Sequence, residues 1–185
     1  MRYLILSGDV KDDGLCQAIK QDVIRGASDG GAEVQVLSLE GIESCRLCDE
    51  GGSSCRNEHR CVNAKDGFEE AHTAVNQSDA LCIIAPVLWG EMTEPLKNFM
   101  ERLRHCEYGV IGALADKPIL ITAVPEGGNH GFLTCLEHMD RFCRNTGAVV
   151  FDCLGVTRWN SDYQRASAYA AAKSMAYGRK AGDQG

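Results

Sequence analysis

Five short apolar runs punctuate the chain, at residues 3–6, 34–37, 80–85, 119–124 and 149–156, each bounded by turn-forming or charged residues. Runs of this length with such flanks fit strands buried on both faces of a sheet. Between them, apolar residues recur at steps of three and four. Met92, Leu96, Phe99, Met100 and Leu103 form one such stripe, and Phe132, Leu133, Leu136, Met139 and Cys143 a second. A weaker stripe of Leu15, Ile19, Val23 and Ala27 is closed by Gly30-Gly31, and Phe68, Ala71 and Val75 form another. An alanine-rich segment at 161–177 completes a set of five helices, each with one face turned inward.

Strand and helix alternating in this way predict an α/β domain with a doubly wound, five-stranded parallel sheet and helices on both faces. The pattern gives a single domain over residues 1–180, with a cysteine-rich loop at 43–66 and a disordered tail at 181–185. Ligands of such sheets sit outside the carboxyl ends of the strands, where the strand order switches. The loops at 7–14, 86–92 and 125–131 are therefore the places to look for a site.

Composition narrows the partners. A length of 185 residues supports a core without metal or disulfides. Nineteen Lys plus Arg against 26 Asp plus Glu, a net charge of −7, and the absence of a basic run argue against nucleic acid and anionic membrane as partners. The N-terminal apolar run is too short for a signal peptide, and no stretch approaches the roughly 20 apolar residues of a membrane span. A cytoplasmic location is expected.

Four of the ten cysteines fall in one segment, Cys45-x2-Cys48-x6-Cys55-x5-Cys61. In a reducing compartment such thiols are metal ligands, redox groups or unligated side chains rather than structural disulfides. An irregular four-thiolate loop suits a cubane iron–sulfur cluster, whereas structural zinc favours two compact C-x2-C hooks and only one is present. His59 is a substitute ligand. Cys16, Cys82, Cys106, Cys135, Cys143 and Cys153 lie on apolar stretches and are expected to pack as small hydrophobes.

The loops after the strands carry further candidates. In Ser7-Gly8-Asp9-Val10-Lys11-Asp12-Asp13-Gly14, a helix start offers N–H groups to an anion, while three aspartates oppose a phosphate or simply cap the helix. The segment Pro86, Val87, Leu88, Trp89, Gly90, Glu91 and Met92 is expected to break from its strand at Pro86 and expose an aromatic–glycine tip, with Pro95 in the first turn of the next helix. Trp89 suits a flat ligand or an interface between subunits. Glu126, Gly127, Gly128, Asn129, His130 and Gly131 place three glycines where backbone can approach a ligand closely. His130 is either a proton donor or a helix start.

In this order, these segments resemble the flavodoxin-like NAD(P)H-dependent FMN reductases, and specifically their iron–sulfur flavoprotein branch. The resemblance runs from residue 1 to about 158. Pro86-Val87-Leu88-Trp89-Gly90, followed by Pro95-Leu96-Lys97-Asn98-Phe99-Met100-Glu101-Arg102, is similar to the family's ring-binding loop and the helix after it. Glu126-Gly127-Gly128-Asn129 resembles the second ring-binding loop. Cys45-Arg46-Leu47-Cys48, Cys61-Val62 and Lys65-Asp66-Gly67-Phe68 resemble the cysteine segment and the helix start beyond it. This chain departs from the family's phosphate loop at Gly8, Val10 and Leu15 or Cys16, which leaves a phosphate to Ser7, Lys11 and backbone N–H groups. It also departs in the six residues between Cys48 and Cys55.

The resemblance implies an FMN-dependent oxidoreductase with FMN at Ser7, Lys11, Pro86 to Met92, Glu126 to Asn129 and Gly131, and a 4Fe-4S cluster at Cys45, Cys48, Cys55 and Cys61 exchanging electrons with it. NAD(P)H or a reduced ferredoxin is the implied donor, and the assembly a homodimer or homotetramer. No side chain need act as acid or base in hydride transfer, so no catalytic residue is assigned. The alternative is a non-enzymatic module on the same scaffold, binding zinc or an iron–sulfur cluster or sensing redox state.

Overall fold

The structure, a computed structural model, describes residues 1–9, 14–48, 55–62, 65–107, 112–127 and 130–178. The expected tail at 181–185 and the site candidates Lys11, Gly128 and Asn129 lie outside the described residues, as do Asp12 and Asp13.

The element order is β1 (Arg2–Ser7), α1 (Gly14–Asp29), β2 (Glu33–Ser38), α2 (Phe68–Gln77), β3 (Ala80–Leu88), β4 (Glu91–Met92), α3 (Glu94–Cys106), β5 (Pro118–Pro125), α4 (Phe132–Thr146), β6 (Val149–Gly155) and α5 (Ser161–Ala176). The sheet runs β2-β1-β3-β5-β6, all parallel, with β4 added antiparallel to β3. The five parallel strands are those expected; the sixth is a correction. Pro86 does not end its strand, because β1 stops pairing at Ser7 opposite Ile84 while β5 pairs on to Val87. Between Ile84 and Val87 one side of β3 has no paired strand, so a residue without N–H is tolerated there.

Alternation along the strands sorts the core into two layers. Leu4, Leu6, Leu81, Ile83, Ala85, Ile119 and Ile121 face α2, α3 and α4. Tyr3, Ile5, Cys82, Ile84, Leu120 and Val124 face α1 and α5. Met92 belongs to β4 rather than to the helix stripe, yet it stays buried in the first layer. Cys153 is exposed on the outer strand β6, contrary to the expectation that it packs inside.

Helices α1 and α5 meet along a close seam. Buried Asp22 accepts from Arg165 at 2.6 Å and from Arg25 at 2.7 Å, and the Tyr169 hydroxyl donates to Asp29 at 2.7 Å. Midway, a Cβ on Gly26 would stand 2.3 Å from the Tyr169 carbonyl oxygen. Glycine lets the two backbones touch.

Candidate functional site

The order β2-β1-β3 reverses direction at β1, so the crevice between the carboxyl ends of β1 and β3 is the switch point where a doubly wound sheet receives its ligand. Three loops border it. Gly8 N–H donates to the Ile84 carbonyl at 3.0 Å and the Thr93 hydroxyl donates to the Gly8 carbonyl at 2.9 Å, tying the first loop to the start of α3. Ser7 is buried, and its Oγ accepts the Asp9 N–H at 3.3 Å. Asp9 is buried, at 5% exposed, five residues before α1 begins at Gly14. Burial first, then the charges of Asp9 and Glu126, push the Cys16 thiol up to about 12, with Lys20 opposing. Cys16 packs in the second core layer, as expected.

The second loop is a two-residue hairpin. Val87 pairs with Met92 and Leu88 with Glu91, leaving Trp89 (φ 52°) and Gly90 (φ 88°) at the tip. Two successive left-handed residues make a type I′ turn, which matches the twist of the flanking strands. Pro86, Val87 and Met92 are buried strand residues, Leu88 and Glu91 are exposed, and Trp89 is wholly exposed. Glu91 faces His138 of α4 at 3.4 Å and Lys97 of α3 at 3.8 Å.

The third loop meets the second through backbone. Gly131 (φ 84°) begins α4, and a Cβ there would lie 2.2 Å from the Gly90 Cα. Glu126 and Gly127 are exposed beside it, with Glu126 N–H directed at the Val87 carbonyl at 3.5 Å. His130 is exposed just ahead of the helix. The rim therefore combines bare backbone at Gly90 and Gly131 with one outward indole.

A second constellation lies beside α3. Cys45, Cys48, Cys55 and Cys61 line one pocket with Arg102, His105 and Cys106. Burial first, then the charges of Cys48, Cys45 and Cys61, raise the Cys55 thiol, as expected of four sulfurs in one neighbourhood. Cys106 packs in the first core layer, as expected, and also lines this pocket beside the four thiols. Burial and the charges of Cys55 and Cys61 push it far up. The His59 ring nitrogen Nδ1 contacts the Cys106 carbonyl at 3.0 Å. Among the described residues no group of three or more His, Cys, Asp or Glu is placed to hold a metal ion. The donor set still fits a thiolate-bound centre in chemistry and in number.

Two buried ion pairs support this pocket, and sequence reading missed both. Arg102 binds Asp66, whose carboxylate also accepts the Glu43 N–H at 2.7 Å. His72 Nε2 meets Glu107 Oε1 at 2.6 Å, and Glu107 accepts the Ala113 N–H. The visible signal for Arg102 was a cation three residues after Phe99 and four before Cys106, inside an otherwise apolar stripe. Burial works to raise both carboxyls, but hydrogen bonds outweigh it, chiefly from Arg102 to Asp66 and from His72 to Glu107, and both are held below their ordinary values. Their contribution to stability is complete above the ordinary carboxylate range of about 4 and is lost as pH falls through the lower folded values. Acid unfolding followed by circular dichroism should therefore steepen below about pH 4, and Asp66→Asn should flatten that limb. Superimposable acid limbs would remove Asp66 from this role.

A parallel 2-1-3-5-6 sheet with three loops bordering its β1/β3 crevice defines a flavodoxin-like fold. Residues 1–159 match the family described as NADPH-dependent FMN reductase. The chain belongs to that family and is a flavin oxidoreductase whose family cofactors are FMN and NAD(P)H. An iron–sulfur flavoprotein of Methanocaldococcus jannaschii is 23% identical over 144 residues, covering 77% of this chain and 71% of that one. Among solved structures, a flavone reductase superposes with a TM-score of 0.70 at 18% identity over 95% of this chain, which spans only 62% of that protein. An NAD(P)H:quinone oxidoreductase from Methanothermobacter marburgensis gives 0.70 at 15% identity, covering 95% and 96% of the two chains. Among the described residues no helix is long and apolar enough to cross a membrane.

Proposed function

We propose that the chain holds FMN non-covalently at the rim formed by Ser7 to Asp9, Trp89-Gly90, Glu126-Gly127 and Gly131, and a 4Fe-4S cluster at Cys45, Cys48, Cys55 and Cys61. FMN, when bound, supplies the hydride and electron chemistry. The protein's own residues position it: Gly90 and Gly131 let two rim loops meet through bare backbone, Trp89 offers a flat apolar face, and the Thr93 to Gly8 bond keeps the first loop against the start of α3. Hydride transfer takes no proton from a protein side chain, so none is given that role.

The observation that carries the cluster is that four thiols from separated positions line one pocket at the side of α3, the helix that follows the flavin hairpin. The similarity to an iron–sulfur flavoprotein points the same way. With both groups bound, the cluster would exchange electrons with the flavin, NAD(P)H or a reduced ferredoxin being the donor and a small molecule such as a quinone, or a partner protein, the acceptor. A cytoplasmic homodimer or homotetramer is the assembly this reading carries. Membership of a reductase family favours turnover over a purely metal-binding module.

Anaerobic purification tests the reading directly. Wild-type protein should show resolved flavin bands over a broad brown absorbance, with iron and sulfide present. Ser at Cys45, Cys48, Cys55 or Cys61 should sharply reduce iron and sulfide, whereas Cys153→Ser and Cys143→Ala should leave them unchanged. Wild-type protein without iron, sulfide or zinc would sink the ligation reading and leave FMN alone.

A further inference from the structure

Arg102 sits on the buried face of α3 beside Phe99, Leu103 and Cys106, and is only 3% exposed. A guanidinium withdrawn from water is costly unless its donors are met. Here they are met in a fixed arrangement. Nη1 donates to Asp66 Oδ2 at 2.5 Å and to the Glu43 carbonyl at 3.0 Å. Nη2 donates to Asp66 Oδ1 at 3.2 Å and to Cys61 Sγ at 3.3 Å, and the Phe68 ring lies 4.3 Å beneath the guanidinium carbon. Asp66 is itself fixed by N–H groups of Glu43 and Phe68 at 2.7 and 3.4 Å. The fork is thus locked on a carboxylate, leaving one N–H aimed at sulfur.

The same side chain grips both ends of the cysteine segment, at Glu43 two residues before Cys45 and at Cys61 itself. Lysine cannot do this, because it lacks a planar fork that reaches carboxylate, carbonyl and sulfur together. We propose that Arg102 is the positioning residue of the thiol site, fixing Cys61 as a ligand and raising the reduction potential of the iron–sulfur centre held there. The proposal rests on the cluster reading above. An N–H···S bond and a positive charge at a ligand sulfur both favour the more negative, reduced state of a cluster, which raises its potential. Arg102 stays protonated throughout, so its influence is that of a permanent charge.

The test compares wild type, Arg102→Met, Arg102→Lys and the double variant Asp66→Asn/Arg102→Met, all prepared anaerobically. The double variant matters because Met alone leaves the Asp66 carboxylate without its cation and threatens folding. Two readouts are taken beside a thermal melt: cobalt(II) affinity of the apoprotein and the midpoint potential of the reconstituted cluster. Cobalt(II) affinity should fall roughly tenfold or more in both Met variants. The midpoint should fall by about 59 mV, a tenfold change in the one-electron equilibrium. Arg102→Lys should recover part of the potential, which follows charge, but not the cobalt affinity, which follows the fork. A folded Met variant with wild-type affinity and midpoint overturns the role of Arg102 alone; should neither Met variant fold, a Lys variant unchanged in both does so. Wild-type protein that contains no iron and binds no cobalt overturns the ligation reading, and the role of Arg102 with it.

Discussion

Gly131→Ala is expected to weaken FMN binding at least tenfold, about 1.4 kcal/mol, while leaving the sheet folded. The added Cβ would lie 2.2 Å from the Gly90 Cα and 3.0 Å from the Gly90 nitrogen. Both are backbone atoms, so no rotamer change relieves the overlap and the hairpin tip must shift. The left-handed backbone at φ 84° adds about 1–2 kcal/mol for any L side chain. The α4 face formed by Cys135, Met139 and Cys143 stays in the core, so the damage is local. Gly41→Ala separates strain from collision, since Gly41 has a similar φ of 82° but nothing within 4 Å of the new carbon. Fluorescence titration of FMN should show a loss in the first variant and none in the second. Equal affinities would mean that the contact between the two loops does not shape the site.

Gly26→Val is expected to be the most destabilising single change on the far face of the sheet. Alanine alone at Gly26 would gain about 1 kcal/mol of helix propensity and lose about 1–3 kcal/mol to overpacking, so the second effect wins by a small margin. Valine forfeits most of the propensity gain and brings two more methyl groups against the Tyr169 carbonyl, which stands 2.3 Å from the ideal Cβ. A loss of about 3 kcal/mol should lower the melting temperature by about 6–12 °C in a chain of this size. The Asp22–Arg165 pair on the same seam would be pulled apart along with the helices. A melting temperature within 2 °C of wild type, outside the expected range, would show that α1 and α5 can separate cheaply.

The parallel strands and the five long helices were legible because each leaves a periodic trace: continuous apolar runs for doubly buried strands, and three-and-four spacing for helices with one wet face. The β3–β4 hairpin was not, because Pro86 and Gly90 carry the same composition as an open loop. Only the early end of β1, a feature of the neighbouring strand, makes Pro86 acceptable in a sheet. The thiol pocket was half legible. Spacing singled out Cys45, Cys48, Cys55 and Cys61, and the apolar stripe of α3 rightly put Cys106 in the core, but nothing in the sequence showed that the pocket opens against that stripe. Asp9 read as one of three acids that either oppose a phosphate or cap a helix, and its burial beside the turn at Ser7 was not visible in the sequence.

Both tryptophans, Trp89 and Trp159, are displayed on the outside of the molecule, following the carboxyl ends of β3 and β6. A protein whose indoles are already in water changes their surroundings little when it unfolds. Intrinsic emission is therefore a poor gauge of melting for this chain. It is instead a natural reporter of whatever comes to rest on the rim, and Trp89→Phe would leave Trp159 as the sole remaining tryptophan.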